Sequence, residues 1–524
     1  MIMANRFHYG ETLMTVLTAK LLQRGDLLGT WTDVASQKIV RSQEVVSQVI
    51  EQGDPTYGIN TGFGPLCTTT ITIEEVQELQ HNLLLSHSAG VGDPVDDEKV
   101  RLMLILKLHA LSMGHSGISM AVLKRIQWHL DSNFLPFVPM KGSVGASGDL
   151  APLAHLFLPL IGEGSVKVNS VYVSTKELLK NWELKPLTLQ PKEALALING
   201  TQFMLAFAVC AVSKMHTMLE SADLIAGLTL EALRGSRNPF QRELHALRPH
   251  IGAQHVAHRM WSLLGQSEIM TSHADCDKVQ DPYSLRCIPA VHGSSRNAWL
   301  HLKKATEVET NSVTDNPIVL EDSQIISGGN FHGQPLALPL DYCCLAAAEL
   351  GNISDRRTYL LLEGRDGLPK LLVKSTGVQS GFMIPQYTSA ALVSENKTQC
   401  FPASADSIPT SLGQEDHVSM GSISGRKLNL ILNNLPYILA VELLCGCQAM
   451  DYRRPLKSNP VLDAIHNLVR KDIAHTETDK IFAEDLEHLA EWIRNGVLVQ
   501  IAEEASAKHS IDLKGPHYES FSLS

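Results

Sequence analysis

Three consecutive small residues, Ala146-Ser147-Gly148, could build an electrophile out of the chain itself. Gly148 carries no side chain to keep its amide nitrogen away from the carbonyl carbon of Ala146. Attack by that nitrogen and loss of water close a five-membered imidazolone ring. Loss of the Ser147 hydroxyl as a second water then leaves an exocyclic methylene. No ordinary side chain is a good electrophile, so a chain that makes this group declares its chemistry. An isolated Ala-Ser-Gly is far more often a loop ahead of a helix, and the neighbouring residues have to decide.

Two further residues have types suited to such a site. Tyr57 lies in Tyr-Gly-Ile-Asn-Thr-Gly-Phe-Gly (57–64), a glycine-punctuated segment that reads as a loop able to close over a ligand. Its phenol could act as a base only if a cationic or dipolar field stabilised the phenolate, because the reference pKa is about 10. Arg286 follows Tyr283 in Asp-Pro-Tyr-Ser-Leu-Arg, and its planar fork matches both oxygens of a carboxylate. Taken alone, Tyr57 reads as a half-buried loop aromatic and Arg286 as one half of a surface ion pair.

The run Gly-Ser-Val-Gly-Ala-Ser-Gly-Asp-Leu-Ala-Pro-Leu-Ala-His (142–155) resembles the ammonia-lyase and aminomutase family that carries the methylidene-imidazolone (MIO) prosthetic group. Other blocks resemble the family in the expected order: 57–64, Asn-Gly-Thr-Gln (199–202), Gln-Asp-Pro-Tyr-Ser-Leu-Arg-Cys (280–287), Thr-Asp-Asn-Pro (314–317), Gly-Asn-Phe-His-Gly (329–333) and Gln-Glu-Asp-His-Val-Ser-Met (414–420). The resemblance implies MIO formed from Ala146, Ser147 and Gly148, with no metal or nucleotide. It implies Tyr57 as the base and Asn199 near the MIO oxygen. Tyr283 would lie beside the ring, Arg286 would anchor the substrate carboxylate, and Asn316 would lie near it. Gln280, Phe331 and Gln414 fall in the same matched blocks and are carried as substrate-binding candidates. It also implies a homotetramer whose active sites draw on more than one subunit.

Family members act on phenylalanine, tyrosine or histidine, and two places discriminate. Ser86-His87 is a polar pair where an apolar surface would suit a phenyl ring. Glu415, in Gln414-Glu415-Asp416-His417, stands where phenylalanine and tyrosine lyases carry a neutral amide. A carboxylate accepts a hydrogen bond from an imidazole N–H and is penalised against a phenyl ring. The expected reaction is therefore elimination of ammonia from L-histidine to give trans-urocanate, the first step of histidine degradation. The alternatives are a tyrosine or phenylalanine lyase, an aminomutase, or a non-catalytic helical scaffold. Leu412-Gly413 precede Gln414 where many relatives have Ala-Asn, so the loop geometry there is open.

Composition bounds the remaining possibilities. The chain has 524 residues, 44% hydrophobic, with a formal charge of −11, a balance that disfavours a nucleic-acid partner. No uninterrupted apolar stretch reaches the roughly eighteen residues of a membrane span. The N-terminal residues lack the apolar run of a signal peptide. Nine cysteines are an odd, sparse set, so a cytoplasmic setting is expected. His245, His250, His255 and His258 resemble a metal cluster by number, but their spacing fits no single ligand face.

The elements that must position these residues are mostly helical. Periodicity predicts helices over 98–131, with a break at Gly114 and Gly117, and over 193–234, 335–363 and 422–452. Leu150–Ile161 reads as a helix starting beside the tripeptide, where the positive end of its dipole would favour negative charge on the ring oxygen. Gly and Pro cluster at 136–152 and 400–426, and 165–174 alternates as a hairpin. The tail, 506–524, is polar and expected to fray. The fold class is mainly α. By resemblance, an MIO-bearing N-terminal domain (1–200) holds the catalytic Tyr loop and the tripeptide. A bundle of long antiparallel helices with the C-terminal helices (201–524) follows, the architecture of ammonia-lyases and of the fumarase-aspartase type.

Overall fold

The computed structural model describes residues 6–53, 55–61, 71, 73–274 and 278–523. Helices dominate, and strands occur only in sheets of two or three. Contacts divide the chain into two units, each gathered from three stretches. The first holds Met1–Cys210, Lys303–Leu340 and Pro402–Arg426; the second holds Ala211–Leu302, Asp341–Phe401 and Lys427–Ser524.

In the first unit, the Asp97–Ser112 helix is buried around nearly its whole circumference. It packs against the Val16–Arg24, Asp33–Gln52 and Met120–Asp131 helices. Asp96 caps it by accepting the Lys99 amide, and Ser119 caps the Met120–Asp131 helix in the same way. Between them, Gly114 and Gly117 take φ of +80° and +66°. A Cβ on Gly114 would lie 2.6 Å from Lys38 Cβ, so the expected break is enforced by packing as well as by backbone. A second trio, Ile73–His87, Leu150–Phe157 and Glu193–Ile198, packs pairwise. His87 ends the first helix, the tripeptide precedes the second, and Asn199 follows the third. The hairpin pairs Ser165–Val168 with Val171–Ser174, turning through Asn169 and Ser170, both at positive φ.

The structure corrects the single helix expected over 193–234. Glu193–Ile198 and Gln202–Ala232 are separate helices. Asn199 is extended (φ −81°, ψ 132°), and Gly200, at φ +127°, cannot continue a helix. Apolar residues on both sides hide this break from a periodicity argument.

In the second unit, long helices cross in both senses. Ser295 Oγ donates to the Ala346 carbonyl and Cys343 Sγ to that of Ala298, so those two helices run in opposite directions. Arg296 and Trp299 reach back to Leu219 and Val212 in the same antiparallel sense. The Gln334–Leu362 and Gly421–Asp451 helices run parallel: Gly351 approaches Leu435 and Ile438, and Arg357 pairs with Glu442. Buried Asp223 and half-buried Glu220 bind Arg259 and Arg296, whose positive charge holds the two carboxyls well below their usual range against the cost of burial. Gln202–Ala232, Gln334–Leu362 and Gly421–Asp451 are long and apolar enough to cross a membrane by length and composition, and their most apolar windows are 78%, 67% and 78% buried in the fold.

The frayed tail is also corrected. Val497–His509 is helical, and a short helix at Tyr518–Phe521 follows. Phe521 is buried, with its ring 5.0 Å from that of His255. Two other histidines of that sequence cluster have separate tasks: His245 bonds the Pro239 carbonyl and His258 pairs with Asp512. Among the described residues, no group of three or more His, Cys, Asp or Glu side chains could hold a metal ion.

Candidate active site

The tripeptide lies in a cradle built by backbone geometry. Ser147 and Gly148 both take positive φ, +49° and +84°. A Cβ on Gly148 would sit 2.1 Å from the Gly200 carbonyl oxygen, so only glycine fits. Gly148 and Gly200 form an isolated bridge, and the Asp149 amide donates to Gly200 O at 2.7 Å. Ala146 packs with Val418 and Met420.

Asn199 reaches this cradle because its helix stops one residue earlier. Its Nδ2 donates to the Ser147 carbonyl oxygen at 2.6 Å, and the Gly200 amide faces the same oxygen at 3.4 Å. That oxygen is the one an imidazolone made here would keep. Asn199 Oδ1 is buried with no partner among the described atoms. Positive φ at the central residue, a side-chain-free Gly148 and donors on the surviving carbonyl all fit a methylidene-imidazolone. The Leu150–Phe157 helix begins two residues after Gly148.

Ser147 Oγ donates to Glu415 Oε1 at 2.8 Å. The other carboxylate oxygen accepts from Thr410 Oγ1 and Ser411 Oγ, each at 2.9 Å. Ser411, Leu412 and Gly413 have φ of +49°, +55° and +86°, a left-handed turn that returns the chain so that the Thr410 amide meets the Glu415 carbonyl. Gln414 is exposed and Glu415 half-buried. His87, at the end of its helix, lies 3.0 Å from Ser86 Oγ through Nδ1. Burial holds its imidazole below the ordinary pKa, while a Leu83 backbone bond and the Glu415 charge pull the other way.

Tyr57 sits half-buried on a turn that packs toward the Glu193–Ile198 helix: a Cβ on Gly58 would lie 2.8 Å from both Leu195 and Pro317. Gly62, Phe63 and Gly64 of that segment lie outside the described residues. Asn316 is buried before a cis proline, and both ends of its amide hold the next loop, through Ser327 Oγ and the Gly328 amide. Phe331 is half-buried in that loop.

Gln280, Tyr283 and Arg286 belong to the second unit. They line an open pocket of about 700 Å³ with Lys278, Arg365 and Asp366. Arg286 Nε donates to the Asp281 carbonyl, and its guanidinium lies 4.4 Å over the Tyr283 ring. Tyr283 is 71% exposed.

Sequence reasoning missed three supports. Thr410 and Ser411 fix the carboxylate of Glu415, and two hydroxyls just upstream of an acidic residue were the available signal. Asp149 receives Ser143 Oγ and the Met204 amide, each at 2.9 Å, and burial raises its pKa to about 7. Lys107, alone in the apolar run Leu104-Ile105-Leu106-Lys107-Leu108, donates to the Asn199 carbonyl at 2.5 Å.

The aromatic amino acid lyase family model matches residues 20–471. The histidine ammonia-lyase of Symbiobacterium thermophilum is 45% identical over 90% of this chain and 93% of its own. The crystal structure of histidine ammonia-lyase from Trypanosoma cruzi superposes with a TM-score of 0.88 at 37% identity, covering 98% of this chain and 97% of that one. The tyrosine aminomutase of Streptomyces globisporus also superposes with a TM-score of 0.88, at 34% identity, covering 95% and 98%. Similarity of this extent places the protein: it belongs to the aromatic amino acid lyase family, whose members are ammonia-lyases and related enzymes.

Proposed function

We propose that this chain acts as a histidine ammonia-lyase, converting L-histidine to trans-urocanate and ammonia. The observation that carries the reading is Glu415, whose carboxylate meets the Ser147 hydroxyl at 2.8 Å. A carboxylate beside the reacting centre suits an imidazole N–H and penalises a phenyl ring. The methylidene-imidazolone formed from Ala146, Ser147 and Gly148 supplies an electrophile for the substrate amine.

The chain's own groups do the rest. Tyr57 removes the β-proton. Asn199 Nδ2 steadies the Ser147 carbonyl oxygen. Maturation removes the Ser147 hydroxyl and frees Glu415 Oε1 to accept from the imidazole, while Thr410 and Ser411 keep the other oxygen occupied. His87 completes a polar wall with Ser86 and Gln414. Asn316 and Phe331 line the space beside the substrate, and Arg286, with Gln280 and Tyr283 in its own pocket, takes a substrate carboxylate through its fork as a group lent to a neighbouring subunit's site.

We infer a cytoplasmic homotetramer. The exposure of Tyr283 supports a residue lent to a neighbouring subunit's site. Apolar residues left exposed on the Gln334–Leu362 helix, including Leu338, Tyr342, Leu345 and Tyr359, support burial by other subunits.

The similarity to a tyrosine aminomutase keeps a second reading, amine migration or elimination on tyrosine. Incubating the purified protein with L-histidine, L-tyrosine and L-phenylalanine separates the two. A conjugated acid forming fastest from histidine is expected. Dominant turnover of tyrosine, or a β-amino acid product, overturns the proposal.

A further inference from the structure

We propose that Lys107 is a positioning residue for the tripeptide: its buried cation polarises the Asn199–Gly200 peptide that grips the Ser147 carbonyl oxygen. The inference rests on the reading above that the tripeptide matures.

Lys107 is 1% exposed, on the face of the Asp97–Ser112 helix that meets the Asn199 segment. A lysine there loses its hydration and needs a reason to be present. Nζ donates to the Asn199 carbonyl at 2.5 Å and to Gln202 Oε1 at 3.4 Å. Gln202 is turned to present that oxygen, because its Nε2 donates to Thr314 Oγ1 at 2.9 Å. Burial lowers the Lys107 pKa to about 7, with Lys192 acting in the same sense and Asp315 and Asp149 opposing, so the ammonium that grips the Asn199 carbonyl is populated at and below neutral pH.

The simplest account is a cap. Asn199 follows the Glu193–Ile198 helix, and cations favour helix C-terminal ends. The geometry carries further, because Lys107 and Ser147 meet opposite ends of one peptide group. The ammonium holds the Asn199 C=O, and the attached Gly200 N–H faces Ser147 O. Drawing electron density toward the carbonyl makes the N–H a stronger donor, as in any hydrogen-bonded chain. The same contact fixes the backbone from which Asn199 Nδ2 reaches Ser147 O.

Maturation places charge on that oxygen. Ring closure joins Gly148 N to Ala146 C and expels the Ala146 oxygen as water, with the amide protons of Gly148 and Ser147. The second step removes the Ser147 Cα proton and its hydroxyl as water, leaving a Cα–Cβ double bond. Departure of the Cα proton pushes electron density onto the Ser147 carbonyl oxygen. Preorganised donors at that oxygen lower the barrier, and Lys107 strengthens and aims them.

The test follows intact mass with time after cell-free synthesis of the full chain, wild type beside K107Q and K107R. K107Q keeps a donor for the helix end and removes the charge; K107R keeps the charge. Wild type is expected to lose the mass of two waters, K107R at a similar rate, and K107Q about tenfold more slowly with an unchanged melting temperature. K107M, which suits the apolar run, is the second neutral variant if glutamine disturbs folding, and is expected to be equally slow. A folded neutral variant that matures at the wild-type rate, or a K107R as slow as K107Q, overturns the proposal. A wild-type chain that never loses the two waters instead refutes the reading of the tripeptide itself.

Discussion

Ser147 Oγ donates to Glu415 Oε1 at 2.8 Å, joining the tripeptide to a loop 268 residues further along the chain. The contact gives Glu415 a defined place before any substrate binds, with one oxygen toward the tripeptide and the other held by hydroxyls. If Glu415 selects histidine, Glu415→Gln removes the charge while keeping the shape. The expected outcome is a fall of about 10²–10³-fold in kcat/KM for L-histidine, the scale of losing one well-placed polar group at a reacting centre. An intact-mass shift retained in the variant shows that the loss is catalytic. Undiminished histidine turnover removes Glu415 from the mechanism.

Thr410 and Ser411 extend the argument, because each donates to Glu415 Oε2 at 2.9 Å. Substituting T410V and S411A together leaves the carboxylate free to rotate. A decrease of roughly tenfold or more in kcat/KM for histidine is expected, since a mispositioned group loses rate without leaving the site. The melting temperature is expected to hardly change, because this loop is largely exposed. Steady-state kinetics beside a thermal melt separate the two effects.

Gly148 makes the sharpest demand on residue type. A Cβ there would lie 2.1 Å from Gly200 O and 2.5 Å from its carbonyl carbon, with φ at +84°. Backbone cannot swing aside as a side-chain tip can, so Gly148→Ala either moves the 199–200 segment or loses the left-handed turn. Asn199 Nδ2 and Ser147 O then separate. The variant is expected to keep the unmodified peptide mass and to lack lyase activity. A variant that still loses two waters shows that ring closure does not need this cradle.

The local chemistry was more legible than the backbone that delivers it. The small residues around Ser147 and the carboxylate at 415 are properties of residue type, and a sequence displays types directly. The helix stop at Asn199 was not visible, because Ala194–Ile198 and Phe203–Ala208 are apolar on either side and one glycine in such a run normally costs little more than about 1 kcal/mol. What ends the helix is Gly200 pressed against Gly148, a contact between distant stretches. Lys107 was hidden for the converse reason: a single cation in an apolar run reads as a helix surface until the Asn199 carbonyl is known to lie against it. Polarity hides the docking of the C-terminal tail, which rests on contacts with a distant helix: Phe521 against His255, Asp512 with His258, the Leu513 carbonyl with Arg259 and His517 with Gln254.

His129 links the fold to pH. It is buried in the Met120–Asp131 helix, its Nδ1 lies 3.0 Å from the Phe134 carbonyl, and Nε2 has no partner among the described atoms. Nδ1 therefore carries the proton, and protonating Nε2 leaves an unpaired buried donor. Burial lowers its pKa from 6.5 to about 4, with the Arg125 charge acting in the same direction and the Phe134 bond opposing. Unfolded chains bind the proton near pH 6.5 and the folded one only near pH 4. The stability tied to neutral His129 is thus complete above about pH 6.5 and is lost as the pH falls toward 4, about 3 kcal/mol over that interval. Histidines 109 and 255, lowered by burial to about 4 and about 3, act in the same sense. The melting temperature is expected to drop on acidification through this window. His129→Gln keeps an N–H for the Phe134 carbonyl but cannot titrate, so its melting temperature should fall less steeply than that of wild type between pH 6.5 and 4. Equal slopes for the two proteins exclude His129 as a source of the acid sensitivity.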